Sequence, residues 1–245
     1  MSGRDAADRN DQTRAGATHC MTETPPLVVD IDGTLTDESR AVDPRVFPVL
    51  SGWPEPVVVA TGKAMPYPIA LCEFVGIDYT VIAENGGVVF VEATDSLQIE
   101  GDKAACLAVA DAYREQGYEM GFGEVDLANR WRETEVVVDL SQPGEPLRRL
   151  AEEHGLEFLD TGFAYHVTDP RIDKGTGLDA VGAELGLDPS EFLAVGDSEN
   201  DADVFDVAGE AVAVANADET ALDRADRVTE ASYADGFLEA VEPYQ

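Results

Sequence analysis

Leu27-Val28-Val29-Asp30-Ile31-Asp32-Gly33-Thr34 is the stretch that decides how this chain reads. An apolar run leads into two carboxylates one residue apart, and the glycine after them lets the backbone turn sharply. Such a run is consistent with a strand buried on both faces of a parallel sheet. Open α/β sheets place their chemistry where strands of this kind end. Paired anionic oxygens there can hold a hard divalent cation, and one can attack phosphorus. Asp and Gly are also ordinary turn residues, so the stretch alone does not separate a site from a solvated turn.

Three later stretches do separate them. Val57-Val58-Val59-Ala60-Thr61-Gly62-Lys63 is a second apolar strand ending on a hydroxyl and a glycine. Thr61 offers an O–H and the Gly62 region offers backbone N–H groups, both suited to phosphate. A nucleotide-binding P-loop is excluded, because that motif needs glycine at position 57, where valine stands. Next comes Ile172-Asp173-Lys174-Gly175, opening a predicted helix from Gly175 to Leu185. The only lysines are Lys63, Lys103 and Lys174, so Lys174 is a poor surface solubiliser. It is better suited to neutralise a carboxylate and a phosphate together. Last, Phe192 to Gly196 is a buried strand followed by Asp197, Ser198, Asn200 and Asp201. A calcium loop starting at Asp197 would need Gly at 202 and Glu at 208, and both are alanine. Helix capping by Asp197 or Ser198 explains one residue of that cluster and not the rest.

In that order, the motifs resemble those of the haloacid dehalogenase superfamily, in its magnesium-dependent phosphatase branch, from about Pro26 to the C-terminus. The resemblance implies a doubly wound parallel α/β sheet with an inserted α+β cap. It implies that Asp30 is the nucleophile that becomes a phosphoaspartate and that Asp32 is the acid/base. Thr61 and Gly62 are the implied phosphate binders, Lys174 steadies nucleophile and phosphate, and Asn200 assists. The implied ligands of Mg²⁺ are Asp197, Asp201, the Asp30 carboxylate and the main-chain carbonyl of Asp32. The resemblance implies hydrolysis of a small phosphorylated metabolite, and in size, cap position and motif wording the chain most resembles members of the family that act on 2-phosphoglycolate. These motifs read the phosphate and not the alcohol behind it, so sugar phosphates stay open. So does a receiver-type signalling module, which would need neither Asp32 nor a cap. The chemistry suits the residue types, since phosphoryl transfer asks mainly for positioning and for neutralisation of negative charge.

Boundaries follow from composition and periodicity. Residues 1–24 are polar and poor in large apolar side chains, and are expected to be a disordered tail. The core is expected over 25–86 and 171–245, with the cap over 87–170 in the order β-α-β-α-β-β. Glu84-Asn85-Gly86 is the expected turn into the cap, and Asn216 the expected cap of a short helix starting at Asp218. Tyr165 and His166 are expected first as packing residues of the last cap strand and second as pocket lining.

Charge is the remaining signal. The chain of 245 residues holds 50 acidic and 16 basic side chains, a net charge of −34. Nucleic acid and anionic membranes would be repelled and are not expected partners. Repulsion among so many carboxylates relaxes in molar salt, where the Debye length is about 3 Å, so the composition points to a salt-loving organism. No apolar segment has the character of a signal peptide or a membrane span. Cys20, Cys72 and Cys106 are too few and too scattered for a disulfide framework or a zinc site. A cytoplasmic monomer or homodimer is expected.

Overall fold

The computed structural model describes residues 24–245, so the expected N-terminal tail lies outside the described residues. Its strands are β1 Leu27–Asp30, β2 Val57–Ala60, β3 Thr80–Ala83, β4 Val88–Val91, β5 Ser96–Ile99, β6 Val136–Val138, β7 Glu157–Asp160, β8 Tyr165–Thr168, β9 Leu193–Gly196, β10 Glu210–Ala213 and β11 Arg227–Val228. Eight of these form one sheet in the order β11-β10-β9-β1-β2-β3-β4-β5. From β11 to β3 neighbouring strands are parallel, and β3-β4-β5 finish the sheet as an antiparallel meander.

Helices cover both faces, as an all-buried parallel sheet requires. On one face α1 Val46–Ser51, α2 Pro66–Val75 and α9 Tyr233–Val241 pack Leu50, Leu71, Val75 and Phe237 against Leu27, Val29 and Val59. On the other, α6 Lys174–Leu185, α7 Ala202–Val207 and α8 Glu219–Arg224 pack Leu178, Val181, Phe205 and Ala221 against Val28, Val58 and Ala194. Odd and even residues of β1 therefore serve opposite cores, the period of two that a strand imposes. From β1 the chain steps to β2 and β3 on one side, and later returns to β9 on the other. Beside that switch point the sheet opens a crevice at its carboxyl ends, and Asp30 is the last residue of β1.

The second unit is a three-stranded antiparallel sheet, β6-β8-β7, with α3 Lys103–Glu115 and α5 Gly144–Glu153 over one face. Its core joins Val109 and Tyr113 of α3, Leu147 and Leu150 of α5, and Val136, Val138 and Val167 of the strands. The intervening residues, Val137 and His166, sit opposite each other in register on the other face. A short helix, α4 Leu127–Arg130, runs along the outer edge of β6. There the Asn129 side chain pairs like a strand residue: its Nδ2 donates to Val137 O at 2.9 Å and its Oδ1 accepts from Val137 N at 2.8 Å.

Two expectations need correction. The inserted unit was expected to begin at residue 87, yet β4 and β5 pair with β3 and complete the large sheet. The boundary was misplaced because Val88 to Val91 is an apolar run that reads equally well in either unit. The alternation of β5, with Leu97 and Ile99 exposed, also gave a weak strand signal. Asn216 does not cap α8 either. Asp218 does, accepting from Ala221 N at 2.9 Å. Asn216 instead ties two loops, donating to Gly33 O at 3.0 Å and accepting from Tyr233 N at 2.6 Å.

Candidate active site

Three strand ends and one helix start converge on the crevice. Asp30 closes β1, Thr61 follows β2, Asp197 follows β9, and Lys174 opens α6. Helix α6 starts one residue earlier than expected, because Asp173 caps it: its carboxylate accepts from Thr176 N at 2.7 Å, and Thr176 Oγ1 accepts from Asp173 N at 3.1 Å. That cap fixes the first turn, which delivers the fully buried Lys174 ammonium to Asp30 Oδ1 at 2.7 Å and Asp201 Oδ1 at 2.6 Å.

Asp201 is held twice over, since its Oδ2 accepts from the backbone N–H groups of Asp197 and Ser198 at 2.9 and 3.1 Å. Asp197 is oriented by Thr34, whose hydroxyl donates to its Oδ1 at 2.9 Å. Gly33 lies against the same carboxylate at φ +89°, and a Cβ there would stand 2.1 Å from Asp197 Oδ2. Glycine is needed for both reasons: the left-handed backbone and the space.

Asp30, Asp197 and Asp201 bring one carboxylate oxygen each within 4.8 Å of one another. Asp30 Oδ2 is buried with no hydrogen-bond partner, an expensive state for an anionic oxygen. Burial, offset in part by Lys174 and reinforced by Asp201 and Asp32, raises the Asp30 pKa to about 7. Burial, with Asp30 and Asp201 beside it, raises Asp197 to about 9. Lys174 goes up as well: burial opposes its charge, but Asp201 and Asp30 outweigh that and keep it an ammonium. One lysine thus faces three buried carboxylates, and the unpartnered oxygen makes the group fit a hard cation bound by oxygen ligands.

Asp32 stands outside this cluster. Its carboxylate pairs with Lys63 at 2.6 Å across the pocket mouth. Thr61 accepts from Lys63 N at 3.1 Å, which fixes the Thr-Gly-Lys turn below it. Asn200 reaches from Lys174 Nζ (3.3 Å) to Asn85, donating to Asn85 Oδ1 at 2.8 Å. Of the site residues expected from sequence, Lys174, Asp197 and Asp201 cluster with Asp30 beneath the pocket and the others line it. Gly62 lines it together with Asp30, Asp32, Thr61 and Asn200.

Several participants escaped the sequence reading. Glu84 and Asn85 lie at φ +51° and +56°, unusual for residues with side chains. The buried Glu84 carboxylate accepts from Glu133 N, Thr134 N and Thr134 Oγ1 at 2.7 to 3.0 Å. Burial and the neighbouring Glu135 push its pKa up. Asn85 Nδ2 donates to Glu135 Oε2 at 2.9 Å, and Glu135 also pairs with Arg132 and, at 3.0 Å, with His166 Nδ1. Burial alone would raise the Glu135 pKa, but His166 and Arg132 bring it below the usual range. His166 thus borders the pocket, whereas Tyr165 packs on Phe158 at 5.2 Å. Scarcity of lysine, applied in the sequence to Lys174 alone, was a signal for the other two as well. Lys63 binds Asp32, and Lys103 Nζ donates to Glu135 O at 2.7 Å, so each lysine is tied to this network. No signal pointed to Glu135, which stands immediately before the apolar strand β6.

The chain belongs to the haloacid dehalogenase-like hydrolases: the model of that family matches residues 147–241, and curated relatives align along nearly their whole length. Among them, the phosphoglycolate phosphatase of Haloarcula marismortui is 74% identical over 91% of this chain and 98% of its own. The phosphoglycolate phosphatase of Natronomonas pharaonis is 54% identical over 89% of this chain and 96% of its own. That of Archaeoglobus fulgidus is 39% identical over 88% and 95%. Among solved structures, a Thermoplasma acidophilum protein superposes with a TM-score of 0.78 at 24% identity, over 91% of this chain and 99% of the other. A haloacid dehalogenase-like hydrolase from B. subtilis gives 0.71 at 20% identity, over 89% and 98%. Both likenesses concern the fold. No helix among the described residues is long and apolar enough to cross a membrane.

Proposed function

We propose that this protein hydrolyses 2-phosphoglycolate to glycolate and phosphate, using Mg²⁺ and a phosphoaspartate on Asp30. The observation that carries this is the Lys174 ammonium clamped between Asp30 and Asp201 beside an unpartnered Asp30 oxygen. The names of relatives up to 74% identical support the substrate. In this scheme Asp30, Asp197 and Asp201 hold Mg²⁺, together with the Asp32 carbonyl. Bound there, the ion would offset the charge of the phosphate and of its attacking carboxylate.

Asp30 attacks phosphorus as the ester P–O bond breaks, and Asp32 gives its proton to the leaving glycolate oxygen. Asp32 then takes a proton from water as that water attacks phosphorus and the bond to Asp30 breaks. Lys63 holds the Asp32 carboxylate in place between the two steps. Thr61 and the Gly62 turn receive the phosphate oxygens with Lys174, and Asn200 braces the lysine. Residues 101–170 form the cap of this scheme, with 24–100 and 171–245 as the catalytic unit. Location in the cytoplasm accords with this reading.

A panel of phosphate esters tested in molar KCl with Mg²⁺ decides the matter. We expect 2-phosphoglycolate to be turned over with the highest kcat/KM. A higher value for a sugar phosphate would displace the substrate, and no hydrolysis of any ester would displace the reaction.

A further inference from the structure

We propose that Arg40 is the receptor for the substrate carboxylate, holding it from a loop of the catalytic unit against Phe163 of the cap. The proposal deepens the phosphoglycolate reading and rests on it.

The pocket over Asp30 has a volume of about 200 Å³, and the arginines and lysines that line it are Arg40, Lys63 and Arg132. A second anionic group on the substrate needs a cation whose donors are free. Lys63 is paired with Asp32 at 2.6 Å. Arg132 is nearly enclosed and neutralised by Glu135, with Nη1 also on Gly62 O at 2.8 Å and Nε on Ala128 O at 3.0 Å. Lys174, below the pocket, is paired with Asp30 and Asp201 and serves the phosphate in the reaction above. Arg40 alone makes no ion pair and no side-chain hydrogen bond among the described residues.

Its placement is built and not incidental. Arg40 stands at the tip of a tight loop closed by the Thr36–Val42 bridge, at φ +67°. Asp37 holds that loop: its Oδ1 accepts from Ser39 N, Ser39 Oγ and Ala41 N at 2.8, 2.6 and 3.1 Å, and its backbone O accepts from Arg40 N at 3.0 Å. The guanidinium carbon lies 4.5 Å from the centre of the Phe163 ring, in the loop joining β7 to β8. A guanidinium held over a ring spends no N–H group on it, and those donors can match a carboxylate with two parallel hydrogen bonds. The field of a chain at −34 repels an anionic substrate, and Arg40, whose charge is felt by Asp139 of the cap without an ion pair between them, opposes that locally.

The contact also spans the two units, so a bound carboxylate would tie the cap to the catalytic loop. Hydrogen bonds to a charged partner of this kind change affinity about 10- to 100-fold.

The test compares 2-phosphoglycolate with ethyl phosphate, which has the same two-carbon chain and no carboxylate. The quantity read is the ratio of their kcat/KM values in molar KCl with Mg²⁺. In Arg40→Met the ratio should fall about 10- to 100-fold, mostly through KM for 2-phosphoglycolate. Arg40→Lys should keep part of the preference, because the charge remains and the planar fork is lost. Phe163→Leu should lower the ratio by less than Arg40→Met does. A ratio within twofold of wild type in Arg40→Met would overturn the proposal. Wild-type enzyme that hydrolyses ethyl phosphate without preferring 2-phosphoglycolate would overturn the substrate reading beneath it instead.

Discussion

Asp30 and Asp32 differ by one position and by everything around them. Asp30 is buried against Lys174 with one oxygen unpartnered, while Asp32 faces the pocket and Lys63. Asp30→Asn should therefore abolish turnover with an unchanged circular dichroism spectrum. Asp32→Asn should slow both proton transfers by about 10²–10⁴-fold and let phosphoenzyme accumulate. Residual wild-type turnover in Asp30→Asn would remove the nucleophile assignment. Gly33 is a second residue on which the site depends. With φ +89° and the Asp197 carboxylate 2.1 Å from any added Cβ, Gly33→Ala must displace Asp197. Its affinity for Mg²⁺ should fall at least tenfold, as when partners that orient a metal ligand are lost, measured by calorimetric titration. The carboxylates were legible in the sequence because their spacing is local. The pairing of Asp32 with Lys63 was not, since the lysine sits in a turn set aside with the P-loop.

Elements were legible where periodicity was strong and ambiguous where a strand was short. Helix α6 begins within a residue of expectation, because apolar spacing and the Asp173 cap mark it. Strand β4 was assigned to the inserted unit and β5 was not expected at all, since pairing partners are not written in a strand of four residues. The junction that follows β3 depends on contacts some fifty positions apart, between Glu84 and Thr134 and between Asn85 and Glu135. No local pattern could report those. Glu84→Ala would strand the buried donors of Glu133 and Thr134, so it should cost about 2–4 kcal/mol in denaturant unfolding. A loss below about 0.5 kcal/mol would show that water replaces the carboxylate there.

For the whole molecule, charge sets the conditions of stability. Asp30 and Asp197 carry pKa values of about 7 and about 9 against 3.8 for an ordinary aspartate. The folded protein without metal therefore binds protons that the unfolded chain has released, and its stability falls as pH rises between those limits. Cation binding displaces the same protons, so Mg²⁺ should raise the thermal midpoint more at about pH 8 than at about pH 5.5. Equal shifts at both would contradict the coupling. The net charge of −34 acts everywhere else. Screening by molar KCl should raise the midpoint steeply above its value in dilute buffer, at fixed pH and Mg²⁺. A flat midpoint would show that self-repulsion does not limit this fold. Relatives from Haloarcula marismortui and Natronomonas pharaonis agree with the salt reading of the composition.

Molar salt also removes a protection. In dilute buffer, copies of so acidic a chain repel one another before their backbones can meet. At a screening length of about 3 Å that barrier is gone, and an open sheet edge would invite a neighbour to add its own strand and begin a chain of molecules. The amide of Asn129, closed on both backbone groups of Val137, occupies that docking position permanently. Because it works by occupancy and not by charge, it keeps β6 solitary at salt concentrations where electrostatic protection has failed.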